Sequence, residues 1–172
     1  LPEKIDAPLD AGTLALALGL DASCIGFDGH EPSVWSAGNA FVFVPVDGLD
    51  VIAKARPDMG RLDAALPDAA RKAFVYTREV TQKGSAFHAR MFAPSLGIAE
   101  DPATGSAVAA FAGVVREFEE PYDGEHHFII EQGFEMGRPS LITLTVEIEE
   151  GRLASAQIGG AAVRISEGVI DA

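Results

Sequence analysis

The chain has 172 residues, 48% of them hydrophobic, a mean hydropathy of +0.16, and a net charge of −13 from 13 basic and 26 acidic residues. That length and composition suit one domain with its own core and exclude a disordered chain. The acidic excess repels phosphate backbones and excludes nucleic acid as a partner, and no stretch supplies the ~20 apolar residues of a membrane span.

Cys24 is the only cysteine, so no intrachain disulfide is possible. With no signal-peptide pattern, a reducing, cytoplasmic setting is expected. The chain begins at Leu1 rather than Met, and is expected to be a trimmed or partial product.

Residues 1–9 read as a linker with prolines at Pro2 and Pro8. Asp10 is placed to cap a helix over Ala11–Leu18, stopped by Gly19. Cys24–Phe27 and Val34–Ser36 read as short strands about a turn at Asp28-Gly29, and Phe41–Val46 as a stronger one. Helices are predicted near Leu49–Ala55 and Met59–Leu66. Strands follow at Ala73–Thr77 and Ala86–Phe92, with a turn at Lys83-Gly84.

Asp101-Pro102 then reads as a helix start, Asp capping free N–H groups and Pro at the first helical position. The predicted helix, Ala103–Phe118, is apolar or Gly at every position from Ala107 to Val115. A helix that is apolar all round is buried on every side. Gly105 in its first turn costs about 1 kcal/mol relative to Ala, a cost that makes sense if the N–H groups there stay open to an anion.

Beyond the helix, His127–Glu131 reads as a strand. Leu141–Glu149 alternates strictly between Ile, Leu, Val, Ile and Thr, Thr, Glu. Glu150-Gly151 makes a two-residue turn into Leu153–Ile158, and Val163–Ile165 continues as a strand. Many strands about one apolar helix predict an α+β fold.

Arg90-Met91-Phe92-Ala93-Pro94, Gly97-Ile98 and Glu100-Asp101-Pro102-Ala103-Thr104-Gly105-Ser106-Ala107 resemble the second lobe of the phenazine-biosynthesis PhzF-like family. Ser36-Ala37-Gly38-Asn39, Gln132-Gly133 and Gly137-Arg138-Pro139-Ser140 add to the likeness, which spans most of this chain but half of a typical member. The resemblance implies a diaminopimelate epimerase-like lobe, a curved and mostly antiparallel sheet around one central buried helix. It further implies that residues 1–172 are the C-terminal lobe of a two-lobe protein, with residues 1–9 leading from the first lobe.

Members of the family work in the cleft between their lobes, and the first lobe supplies a glutamate as general base. The implied function is cofactor-independent isomerisation of a small carboxylate by proton abstraction and return, with this chain inactive alone. Asp101 is the candidate catalytic residue, able to act as helix cap, cleft acid, or both. Thr104, Gly105 and Ser106 are candidate substrate contacts through hydroxyls and backbone N–H groups, and Gly38 and Asn39 through their placement near the cleft.

Thr104 stands where related epimerases and proline racemases carry a catalytic cysteine, so a two-thiol mechanism is excluded. Arg90 and Arg138 are as well suited to pairing with acidic neighbours as to touching a ligand. His126 and His127 point to opposite sides of a strand and no metal-ligand spacing is present, so neither metal nor cofactor is expected. His30 and His88 are assigned surface or packing roles, and Cys24 that of a small buried hydrophobe. The implied partners are the small-molecule substrate, the first lobe, and a second copy of the complete protein. The competing reading is a non-catalytic binding or assembly module.

Overall fold

Alternation along the central strands sends large apolar side chains to both faces of one sheet, and each face has its own cover. A computed structural model describes residues 1–169. Its strands are β1 (Glu3–Lys4), β2 (Ser33–Ser36), β3 (Ala40–Pro45), β4 (Ala73–Thr77), β5 (Phe87–Ala93), β6 (Ile98–Asp101), β7 (Gly124–Gln132), β8 (Ser140–Glu149) and β9 (Arg152–Gly160). The helices are α1 (Ala11–Leu18), α2 (Leu49–Ile52), α3 (Met59–Ala65) and α4 (Gly105–Phe118). None of them is long and apolar enough to cross a membrane.

The strands join in the order β1-β2-β3-β4-β5-β7-β8-β9, with β6 pairing to β5 off that path. Only the β3–β4 and β5–β7 pairs are parallel. Strands from both ends of this order, β1 and β2 at one and β8 and β9 at the other, pack on the same helix, α4. The sheet is therefore curled into a half-barrel around it, the α+β arrangement that the family resemblance implied.

Phe43, Phe74, Tyr76 and Phe87 line the inner face and surround Phe111 of α4. Phe111 meets Tyr76 and Phe87 edge-on, with ring centroids 4.9 and 5.0 Å apart, contacts worth about 0.5–1.5 kcal/mol beyond the area they bury. From Ala107 to Val115 every residue is buried except the half-buried Ala109. Gly113 lies so close to Trp35 of β2 that a Cβ there would overlap the indole ring.

The outer face carries Val42, Val44, Val75 and Phe92 against Leu14, Leu18, Ile52 and Leu62 of the three short helices. Two-sided burial explains why β3 and β4 read as nearly continuous apolar runs. β8 is covered on one side only: Ile142, Leu144, Val146 and Ile148 are buried, and Thr143, Thr145 and Glu147 half-buried. Glu150 and Gly151, at φ 50° and 68°, form the tight turn into β9.

Several expectations are corrected. Asp101-Pro102 does not start the helix. Asp101 ends β6, paired with Met91, and Thr104 is the helix N-cap. Proline forces only its predecessor to be extended, a condition a strand end satisfies as well as a cap. Cys24–Phe27 is not a strand but a 3₁₀ turn at Ala22–Cys24, capped by Asp21, followed by single bridges at Ile25 and Phe27. Cys24 itself is half-buried rather than buried. Val163–Ile165 forms no strand and is exposed. Within residues 1–9, Glu3–Lys4 pairs with β2.

Candidate functional site

Gln132 ends β7 with its side chain fully buried beneath the entry to α4. Its Oε1 accepts from the Thr104 backbone N–H at 3.0 Å. Its Nε2 donates to the Asp101 carbonyl at 2.6 Å and to Thr104 Oγ1 at 2.9 Å. Because the oxygen must face the amide N–H, the orientation of the carboxamide is fixed. Thr104 Oγ1 spends a lone pair on Gln132, so its proton goes to Asp101 Oδ2, 2.6 Å away. The result is a one-way chain from Gln132 through Thr104 to the Asp101 carboxylate.

The same bonds hold the helix end open. Among the described residues the first α4 N–H groups with a backbone acceptor are those of Ala107 and Val108, both bonded to the Thr104 carbonyl. Gly105 and Ser106 thus present unpaired N–H groups beside Asp101, and Ser106 is exposed. Unpaired donors and the helix dipole together favour an anion at this position. Gly133, at φ 79°, lets the β7–β8 turn close on the site, because a Cβ there would meet the Pro102 and Arg138 carbonyls.

The structure brings Asp101, Thr104, Gly105 and Ser106 together. Gly38 and Asn39 stand apart, in the β2–β3 turn, where Asn39 Oδ1 accepts from Lys72 at 3.4 Å. The register Val42–Ala73–Phe92 sets that turn at the end of the sheet where Asp101 meets Met91, with no hydrogen bond to the Asp101 cluster.

Arg90 pairs with Glu100 through two bonds of 2.9 and 2.8 Å, whereas Arg138 is exposed. His30 and His88 are both buried, which rules out surface roles. His88 lies between Glu131 and Glu135. His30 sits at the far end of α4 against Tyr76 (2.9 Å) and Glu119 (3.0 Å), stacked between Phe27 and Phe118. Burial raises the Tyr76 phenol well above its usual range. Burial works against the Glu119 carboxylate, yet bonds from His30 and Arg78 leave its pKa lowered.

Gln132 is the residue whose role sequence reasoning missed: it was matched as part of Gln132-Gly133 but given no place in the site. A glutamine directly after the predicted strand His127–Glu131 and before a glycine was the available signal, but its partners lie about 30 residues away. Among the described residues no group of His, Cys, Asp and Glu side chains is arranged to hold a metal ion.

A family model described as phenazine biosynthesis-like protein, PhzC-PhzF, matches residues 3–168. The chain belongs to that family. It is 44% identical to an uncharacterised isomerase of Mesorhizobium japonicum over 98% of this chain and 57% of the relative. It is 30% identical to the trans-2,3-dihydro-3-hydroxyanthranilate isomerase of Pseudomonas fluorescens over 97% of this chain and 58% of that enzyme. The chain therefore spans a little over half the length of these family members.

Among solved structures, a PhzF-family protein of Bacillus anthracis superposes with a TM-score of 0.79 at 24% identity, covering 94% of this chain and 58% of that one. A predicted epimerase from Pseudomonas aeruginosa superposes at 0.64 and 30% identity, covering 92% and 52%. The half-barrel around α4 is thus the epimerase-like fold of PhzF proteins.

Proposed function

We propose that this chain is one lobe of a PhzF-type isomerase, supplying the substrate-holding end of α4 and the Asp101 carboxylate to a cleft completed by a second lobe. The observation that carries this reading is the buried Gln132, which fixes Asp101 and Thr104 beside two unpaired backbone N–H groups. Pre-set donors of this kind stabilise negative charge as it develops, and one is worth about 3 kcal/mol in known active sites.

In this mechanism the Gly105 and Ser106 amides hold a carboxylate of the substrate. A base from the other lobe removes a proton from carbon, since such a base must reach the proton directly. Asp101, bonded to Thr104 through Oδ2, keeps Oδ1 free to relay a proton toward the product. The names of the relatives support isomerase chemistry of this type. Gly38 and Asn39, at the same end of the sheet, are the more distant part of the proposed contact surface.

The test is turnover in deuterium oxide with trans-2,3-dihydro-3-hydroxyanthranilate, the compound named for the Pseudomonas fluorescens relative, and a panel of related carboxylates. The chain alone is expected to be inactive. The protein carrying both lobes is expected to isomerise a member of the panel and incorporate solvent deuterium. Turnover by the lone chain would overturn the assignment of the base to the other lobe.

A further inference from the structure

We propose that His88 and Arg90 are positioning residues, which hold Gln132 and Asp101 in place from the opposite face of the sheet. Along β5, Phe87, Ala89 and Met91 face the core around α4, while His88 and Arg90 point to the other side. Each of these two side chains grips the residue immediately before a site residue. Arg90 clasps Glu100, the neighbour of Asp101, at 2.9 and 2.8 Å. Its remaining nitrogen, Nη1, donates to the Ile52 and Ala55 carbonyls at 3.0 and 2.9 Å, which ties the pair to α2.

His88 does the same on β7. Its Nδ1 lies 2.8 Å from Oε2 of Glu131, the neighbour of Gln132, and its Nε2 lies 2.9 Å from Glu135 Oε1. Glu131 also accepts from the Thr81 and Gln82 N–H groups at 2.8 and 2.6 Å. Successive strand residues point to opposite faces. Fixing Glu100 and Glu131 on one face therefore fixes Asp101 and Gln132 on the other.

An imidazole with a carboxylate oxygen at each nitrogen makes both bonds only when both nitrogens carry protons. The charged groups around it are Glu131 from β7, Glu135 from the β7–β8 turn, and Arg90 on its own strand, whose Nε is 4.0 Å from Glu135 Oε2, with Glu100 behind Arg90. Phe134 closes the remaining side, its ring 5.3 Å away. Burial opposes the charged ring, but bonds to Glu135 and Glu131 outweigh it and raise the pKa of His88 above 6.5.

The consequence for catalysis rests on the isomerase reading above, whereas the coupling across the sheet is measurable in this chain alone, so the two fail separately. In the ¹⁵N-labelled protein at pH 6, both His88 ring nitrogens are expected to show the shifts of N–H groups. Raising the pH through the His88 transition should move the Gln132 side-chain amide and the Thr104 backbone amide with the same midpoint. His88→Gln should abolish that shared midpoint, and Arg90→Lys, which keeps the charge but loses the fork, should move the Asp101 amide signal. If His88→Gln does not fold, the wild-type titration decides by itself. A ring with one unprotonated nitrogen at pH 6, or Gln132 and Thr104 signals that stay still while His88 titrates, would overturn the role of His88. An unmoved Asp101 signal in Arg90→Lys would overturn that of Arg90.

Discussion

Gln132→Leu keeps most of the buried volume at the α4 entry and removes all three hydrogen bonds that assemble it. The Thr104 N–H and the Asp101 carbonyl lose the one side-chain partner each has among the described residues, and the Thr104 hydroxyl loses a donor. A buried polar group left unpaired costs about 1–3 kcal/mol. Thr104 is 6% exposed and Gln132 fully buried, so water offers little relief. Taking two such groups near the middle of that range, about 4 kcal/mol together, and crediting leucine with about 1–2 kcal/mol of apolar burial gives a loss of about 2–3 kcal/mol. With a urea slope of about 2 kcal/mol/M, the unfolding midpoint should fall by roughly 1–1.5 M. Amide exchange at Thr104 should accelerate in parallel. A midpoint within about 0.2 M of wild type would refute the claim that Gln132 holds this end of the helix.

The pH dependence of stability follows from the same cluster. Glu131 and Glu135 are lowered from 4.5: burial works against the charged carboxylates, but the His88 bond and backbone donors prevail, so their contribution is present above that value and lost as the pH falls. The His88 pKa is raised, so its contribution is complete below 6.5 and lost as the pH rises through the folded value. Urea midpoints should therefore decline on the alkaline side, with His88→Gln flattening that decline; a wild-type curve level from pH 6.5 to 9 would contradict it. Gly113→Ala drives a methyl group into the Trp35 ring, at a cost of about 1–3 kcal/mol. Because Trp35 is the sole tryptophan, its fluorescence should shift as well, and unchanged stability and emission would refute the close packing of β2 on α4.

The parts of this fold that depend on local pattern were legible in the sequence. Ala107–Val115 announced a helix buried on all sides, Leu141–Glu149 a strand with one wet face, and Glu150-Gly151 the turn between the last two strands. What depended on distant partners was not. Asp-Pro has the same local preference at a strand end as at a helix start, and the pairing of Asp101 with Met91 decides between them. Val163–Ile165 has the residues of a strand but no neighbouring strand among the described residues. The roles of His88 and Gln132 depend on partners 43 and 28 positions away, a separation that no periodicity encodes. The candidate site was half visible: the resemblance assigned Asp101 and the Thr104–Ser106 end to the site, and it included Gln132 among its matched residues without giving it the role of joining them.

The most direct test of the proposed role of this site is the effect of Asp101→Asn on kcat in the protein that carries both lobes. Asparagine keeps the size of the side chain and can still accept the Thr104 hydroxyl, so binding of the substrate should be little changed while proton relay is lost. A positioned acid or base contributes about 10²–10⁴-fold, and kcat is predicted to fall by at least about 100-fold with KM within a few-fold of wild type. An unchanged kcat would contradict the assignment of Asp101 to the chemistry.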